Sequence, residues 1–218
     1  MDTTLRTVFQ EDWMALLLVS SLMLLSWSKF LYPQRYSQFK YVLINQKYLL
    51  SFHKGKMLTH PFALIMSFTA WINLSLFVYL LIPDLVPHLN LYFELSFLHI
   101  AMYTAAFLMI KAWVQILLSE VFENQIIRRL QFSKISILSF NSWILTLSSL
   151  LLIYLSNHNL IIIYSTISLF LLLYTIGYIN VLRIHKNQLF KQILYFILYL
   201  CALEIAPILI IINYLKIA

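Results

Sequence analysis

Charge is scarce in this sequence. Only 11% of its 218 residues are Asp, Glu, Lys or Arg, against about 25% in an ordinary soluble domain. Glycine is scarcer still, with two residues, and there are five prolines and one cysteine. Two isolated glycines exclude the glycine-rich phosphate loops of the Walker A and GxGxxG kinds, and so few breakers argue against low complexity or disorder. A lone cysteine, Cys201, excludes a disulfide framework and a thiolate metal site. HExxH and GxSxG are also missing, and no two of the six histidines stand three or four apart. No metal and no cofactor is therefore expected, and intramembrane hydrolases and nucleotide-driven pumps lose their support.

What is present is apolar: 62% of the residues are hydrophobic, gathered into six runs. A membrane-spanning helix needs about 20 mostly apolar residues. Runs of that kind cover about 13–31, 61–82, 93–118, 137–155, 160–181 and 193–214. Trp13, Trp27 and Tyr32 flank the first as interfacial aromatics, and Pro83 closes the second. The leader "MDTTLRTVFQED" has three acids and one base, the reverse of a signal peptide's charged start, and no small-residue cleavage site follows the run. The first run therefore reads as a retained span. The expected fold is all-α: one integral membrane domain over 1–218, a bundle of six transmembrane helices, with one or two interfacial helices on the cytoplasmic side.

The net charge of +7 is spread over the short intervals between runs. That pattern belongs to membrane topology and not to a nucleic-acid surface, so no nucleic-acid partner is expected. Arg35, Lys40, Lys47, Lys54 and Lys56 fall after the first run; Arg128, Arg129 and Lys134 after the third; Arg183, Lys186 and Lys191 after the fifth. "PDLVPHLN" (83–90) and "SNHN" (156–159) hold no Lys or Arg. The positive-inside rule makes the basic intervals cytoplasmic and puts both termini outside the cytoplasm. Two basic intervals have apolar character of their own. Segment 37–52, "SQFKYVLINQKYLLSF", mixes aromatics and lysines as a helix on an anionic lipid surface does. Segment 120–132, "EVFENQIIRRLQF", spaces Phe122, Ile126 and Leu130 four apart, which is either a continuation of the third helix or a docking surface for another membrane protein.

Within the runs, ionisable and amide side chains are costly and mark candidate sites. Glu204 lies near the middle of the last run, with Pro207 three residues on. Pro207 has no N–H to give the carbonyl of Leu203, which is left to find another partner beside the carboxyl group. Asn73 falls near the midpoint of the second run; His99, Tyr103 and Lys111 belong to the third, with Lys111 nearer its cytoplasmic end. Threaded as above, Glu204, Asn73 and the Tyr103–Thr104 pair share a depth and can form one polar layer. Two readings of that layer stay open: a structural lock between helices, or a transport site built on an interrupted helix. Elsewhere, Gly177 marks a close helix approach, and Tyr174 and Tyr178 read as interfacial anchors.

The stretch "GYINVLRIHKNQLFKQILYFILYLCALEIAPILIIINYL" (177–215) resembles the end of a family of multi-pass inner-membrane proteins of Bacteroidota described as a domain of unknown function. Members close with a Phe/Tyr-rich span like "YFILYLCALEIAPILI" after a short basic turn. "EDWMALLLV" (11–19), "HPFALIMSF" (60–68), "MIKAWVQILLSEVFE" (109–123) and "SFNSWIL" (139–145) are similar as well. The resemblance implies that Glu204, Pro207, Lys111 and Asn141 belong to the family pattern, and it implies the inner membrane. It assigns no activity. The function expected is a non-enzymatic membrane subunit or accessory factor of an envelope assembly or secretion process. A small proton-coupled transporter or channel titrating at Glu204 is the alternative. An intramembrane enzyme acting on lipid comes third, with Asn73, Tyr103 and Lys111 as its visible candidates.

Overall fold

The structure, a computed structural model, describes residues 12–42, 60–85, 96–121, 125–154 and 160–189. They form six helices and, among the described residues, no strand: α1 (Asp12–Leu31), α2 (Pro33–Phe39), α3 (Pro61–Leu85), α4 (Phe97–Val121), α5 (Gln125–Tyr154) and α6 (Leu160–Leu189). All but α2 are long and apolar enough to cross a membrane. In hydrocarbon the backbone must satisfy its own N–H and C=O groups, and a continuous helix does so within one segment. The sixth expected span, 193–214, lies outside the described residues.

The long helices alternate in direction, which gathers the described basic side chains at one end. There the tail of α1, all of α2, the starts of α3 and α5 and the last turns of α6 close on a shared cluster. Phe39, Val42, Phe62, Met66, Phe132, Ile137 and Val181 are buried in it. The Phe62 ring meets Phe39 and Tyr32 edge-on at 5.9 and 6.1 Å, while Trp143 stacks between Tyr36 and Phe140 at 6.0 and 5.9 Å. At the opposite end Trp13, Tyr79 and Phe97 form a ring trio 5.1–6.0 Å apart. Trp13 thus joins α1 to α3 and α4 as well as marking an interface.

α3 packs most extensively on α5, and α5 also meets α4 and α6. The spanning windows of α5 and α3 are 56% and 44% buried, those of α1, α4 and α6 17% each. α5 is therefore the centre and the other three form a rim. Apolar side chains gain nothing by leaving lipid for a protein interior, so close packing and interhelical hydrogen bonds hold such a bundle together. Small residues serve that purpose on α5, and Gly177 of α6 is buried too.

Several boundaries differ from those read in the sequence. The helix of the fourth span starts at Gln125, twelve residues before the apolar run at 137. Arg128, Arg129 and Lys134 lower hydropathy without lowering helix propensity, so the helix extends where the run does not. Of segment 120–132, residues 120–121 close α4 and 125–132 opens α5, while 122–124 lie outside the described residues. α3 likewise runs through Pro83 to Leu85, and α6 runs eight residues past 181. Of segment 37–52, the described part ends α2 and tucks Phe39 and Val42 into the basic-end cluster.

The start of α3 is capped by a titratable side chain. Pro61 takes the first helical position, where its missing N–H costs nothing, and the His60 carbonyl accepts from Leu64 N–H at 3.1 Å. His60 Nδ1 accepts the Phe62 N–H at 3.1 Å, so the neutral ring caps the helix and also meets Tyr32 edge-on. Burial first, and the Arg35 guanidinium second, hold the imidazole below its ordinary value. A base with a depressed folded pKa takes up its proton more readily unfolded. The cap's contribution is therefore complete above the unfolded value of about 6.5 and is lost as pH falls from there through the lower folded value. The thermal midpoint in detergent should fall between pH 7.5 and pH 5.5. His60→Asn, which caps without titrating there, should flatten that slope, while His60→Ala should lose about 1 kcal/mol at neutral pH.

Candidate functional site

The side chains that stand out by burial and chemistry lie on α5 and on the face of α3 turned to it. Gln131, Ser133, Lys134, Ser136, Ser139, Asn141, Ser142, Thr146, Ser148 and Ser149 are all buried, within 19 residues of one helix. The hydroxyls at 133, 136, 139, 142, 146 and 149 advance three or four residues at a time, a row that winds round the helix. A winding row can be buried throughout only on a helix covered on several sides, as α5 is by α3, α4 and α6. From Gln131 on, its exposed residues, Leu147, Leu150 and Tyr154, follow a narrow strip three and four apart.

Three of these hydroxyls bond to carbonyls of their own helix. Ser136 Oγ donates to the Phe132 carbonyl at 2.9 Å, Ser142 to Ser139 at 2.7 Å and Thr146 to Ser142 at 3.0 Å. Others tie helices together. Ser148 Oγ and Thr166 Oγ1 lie 2.8 Å apart between α5 and α6. Gln131 Nε2 donates to the Ala112 carbonyl of α4 at 3.3 Å. Between α3 and α4, Trp71 Nε1 donates to the Ala101 carbonyl at 3.1 Å, and Ser75 Oγ sits 2.8 Å from Thr104 Oγ1. Lys134 Nζ lies over the Tyr178 ring at 4.9 Å, which gives that buried cation an aromatic face and makes Tyr178 more than an interfacial anchor.

Two amides are different. Asn73 and Asn141 are fully buried, and neither the oxygen nor the nitrogen of either side chain has a hydrogen-bond partner among the described residues. Each sits near the midpoint of its helix's apolar span, 61–82 on α3 and 131–154 on α5. The two helices are the most extensively packed pair.

The other candidates are dispersed. Tyr103 is 69% exposed on the outer face of α4 and takes no part in the buried layer, whereas its neighbour Thr104 turns inward. Adjacent helical residues point about 100° apart, so the pair cannot share a face. His99 is exposed near the start of α4, with Nδ1 2.9 Å from Ser96 Oγ. Lys111 is half-buried on α4, next to the Ala112 carbonyl that Gln131 holds. Glu204 and Pro207 lie outside the described residues. No group of three or more metal-ligating side chains occurs among the described residues.

Hydropathy missed the hydroxyl row because serine and threonine are nearly neutral on such scales and leave an apolar run unbroken. The signal that finds it is the spacing of the hydroxyls in "SKISILSFNSWILTLSS" (133–149).

Residues 14–215 match the family described as "Domain of unknown function (DUF4271)", and the chain belongs to that family. It has no match among curated proteins and none among solved structures.

Proposed function

We propose that this family member is a non-enzymatic, multi-pass protein of the cell inner membrane, a subunit or accessory factor of an envelope assembly or secretion process. In this reading a sixth span over 193–214 completes the bundle, both termini are periplasmic, and the basic end faces the cytoplasm. The observation that carries it is the construction of that end. Five helices meet there on packed rings, leaving Lys40, Tyr41 and Arg183 exposed around a firm base, with Lys40 Nζ 5.6 Å from the Tyr36 ring. Such a platform suits an anionic lipid surface or an acidic partner, and segments 37–52 and 120–132 supply its contacts. The test is gentle detergent extraction of the tagged protein at native abundance. Co-migration with another envelope protein, lost in Lys40→Glu with Arg183→Glu, is expected; migration as a lone monomer contradicts the reading.

A second reading, a small proton-coupled transporter titrating at Glu204, is favoured by one observation: the unpartnered Asn73 and Asn141 amides at mid-bundle. It requires Glu204→Gln to abolish function at unchanged abundance. Full activity in that variant ends it, and loss of abundance makes Glu204 a structural lock.

A further inference from the structure

α5 is covered by α3, α4 and α6, yet within its apolar span it opens outward along a narrow strip. Leu147 is 64% exposed on that strip and Leu150 41%, and half-buried Trp143 stands on the same face one turn nearer the basic end. Helical side chains lean toward the helix N-terminus, which for α5 brings the Trp143 ring down toward the basic end. There it stacks on Tyr36 of α2 at 6.0 Å, and the Lys40 ammonium stands over the same Tyr36 ring at 5.6 Å. Lys40, Tyr36, Trp143, Leu147 and Leu150 thus form one succession, from an exposed cation at the end of the bundle to bare leucines within the span.

The outward faces of α1, α4 and α6 are broad, as the 17% burial of their spans requires. α5, at 56%, shows only the floor of a furrow between its neighbours. An apolar chain lying in a furrow touches protein on more sides than one on a rim and gains the dispersion contacts that go with them. One leaflet of hydrocarbon is about 15 Å deep, or about ten residues of helix. A lipid chain that enters level with Ile137 therefore reaches Leu147, and its headgroup lies at the level of α2. Charge selects the headgroup. There is no Asp or Glu between Asp12 and Asp84, and none on α5 or α6, so these elements offer Lys40 no carboxylate. The Tyr36 ring fixes the ammonium in place without neutralising it.

We propose that the α5 strip holds one anionic phospholipid of the leaflet at the basic end. Its phosphate rests on Lys40, its glycerol end covers the Tyr36–Trp143 stack and an acyl chain follows Leu147 and Leu150. This deepens the platform reading given above, on which it rests, by naming what Lys40 binds. Held in the furrow, the lipid shields Trp143 from the exchanging lipid around the rim.

The test is native mass spectrometry of the whole chain, released in mild detergent from bilayers of equal phosphatidylglycerol and phosphatidylcholine. Phosphatidylglycerol should be retained about fivefold or more over phosphatidylcholine, the factor that one lysine contributes near an anionic headgroup. Lys40→Gln should abolish the preference and Lys40→Arg should keep it. Leu147→Trp with Leu150→Trp, which fill the furrow, should release the lipid, while Leu172→Trp on the exposed face of α6 should not. Equal retention of the two lipids, a preference that survives Lys40→Gln, or retention unchanged by the paired tryptophans overturns the proposal. Lys40 is exposed, so its variants fold, and they decide alone should the paired tryptophans not. Co-migration of an envelope protein is read separately: found without any lipid preference, it leaves the subunit reading standing and this one overturned.

Discussion

Phe62→Ala should cost about 3–5 kcal/mol, enough to leave much of the protein unfolded in detergent. Phe62 is fully buried and near the first turn of α3, where the tail of α1, α2 and the body of the bundle converge. Truncation removes its edge-on contacts with Phe39 and Tyr32 and opens a cavity that the surrounding rings of Phe132 and Phe140 cannot fill without leaving their own partners. It also weakens the entry to α3, since the His60 cap is held against the same Tyr32 ring. The loss is one of packing in place, which matters in a bundle whose helices are not driven together by water. Phe30→Ala is the control. That side chain is 85% exposed on α1 and belongs to the rim, so its loss should shift the thermal midpoint little.

Asn141 should respond in opposite senses to two substitutions of similar size. Asn141→Asp places a carboxyl group at mid-span with no partner among the described residues. On insertion scales an aspartate at a helix centre costs about 2.5–3.5 kcal/mol, and the variant should fall in both abundance and thermal midpoint. Asn141→Leu removes two unsatisfied polar atoms and fills the site with apolar ones, and it should be neutral or stabilising. Thermal unfolding of both variants, with abundance in membranes, checks the contrast. If the leucine variant is as unstable as the aspartate one, the amide has a partner that it needs. A stable leucine variant that is functionally dead assigns the asparagine to function and not to the lock.

Much of the membrane architecture was legible because the signal is cumulative. Five apolar runs, each bounded by basic or turn-forming residues, became five helices whose first residues lie within four of the expected ones, except in α5. That exception is instructive. Hydropathy measures where a helix enters hydrocarbon, and α5 begins well before it does. The order of burial was not legible. α1, α4 and α6 are as apolar as helices at a bundle's centre, and nothing in their composition says they form its rim. The most polar of the spanning helices is the most buried, because in lipid it is the polar side chains that need protein around them.

Among the candidate residues, position along a helix could be read from the sequence and direction could not. Asn73, expected in a polar layer, is buried on α3, and Asn141, which only the family resemblance implied, is buried on α5. Tyr103 has the right depth and the wrong face, with Thr104 in its place. A one-residue step rotates a side chain by about 100°, which an apolar run without marked amphipathicity does not register. Glu204, the carboxyl group from which the polar layer was first inferred, lies outside the described residues.

Both functional readings depend on α5 lying at the centre with α4 on the rim. Two native tryptophans report on that arrangement without an added probe: Trp113, 70% exposed on α4, and Trp143, stacked between Tyr36 and Phe140 on α5. The direct measurement is fluorescence quenching by brominated lipid in two single-tryptophan variants, with the other four tryptophans replaced by phenylalanine. Trp113 should be quenched strongly and Trp143 protected. Equal quenching of the two would put α5 against lipid and contradict the account.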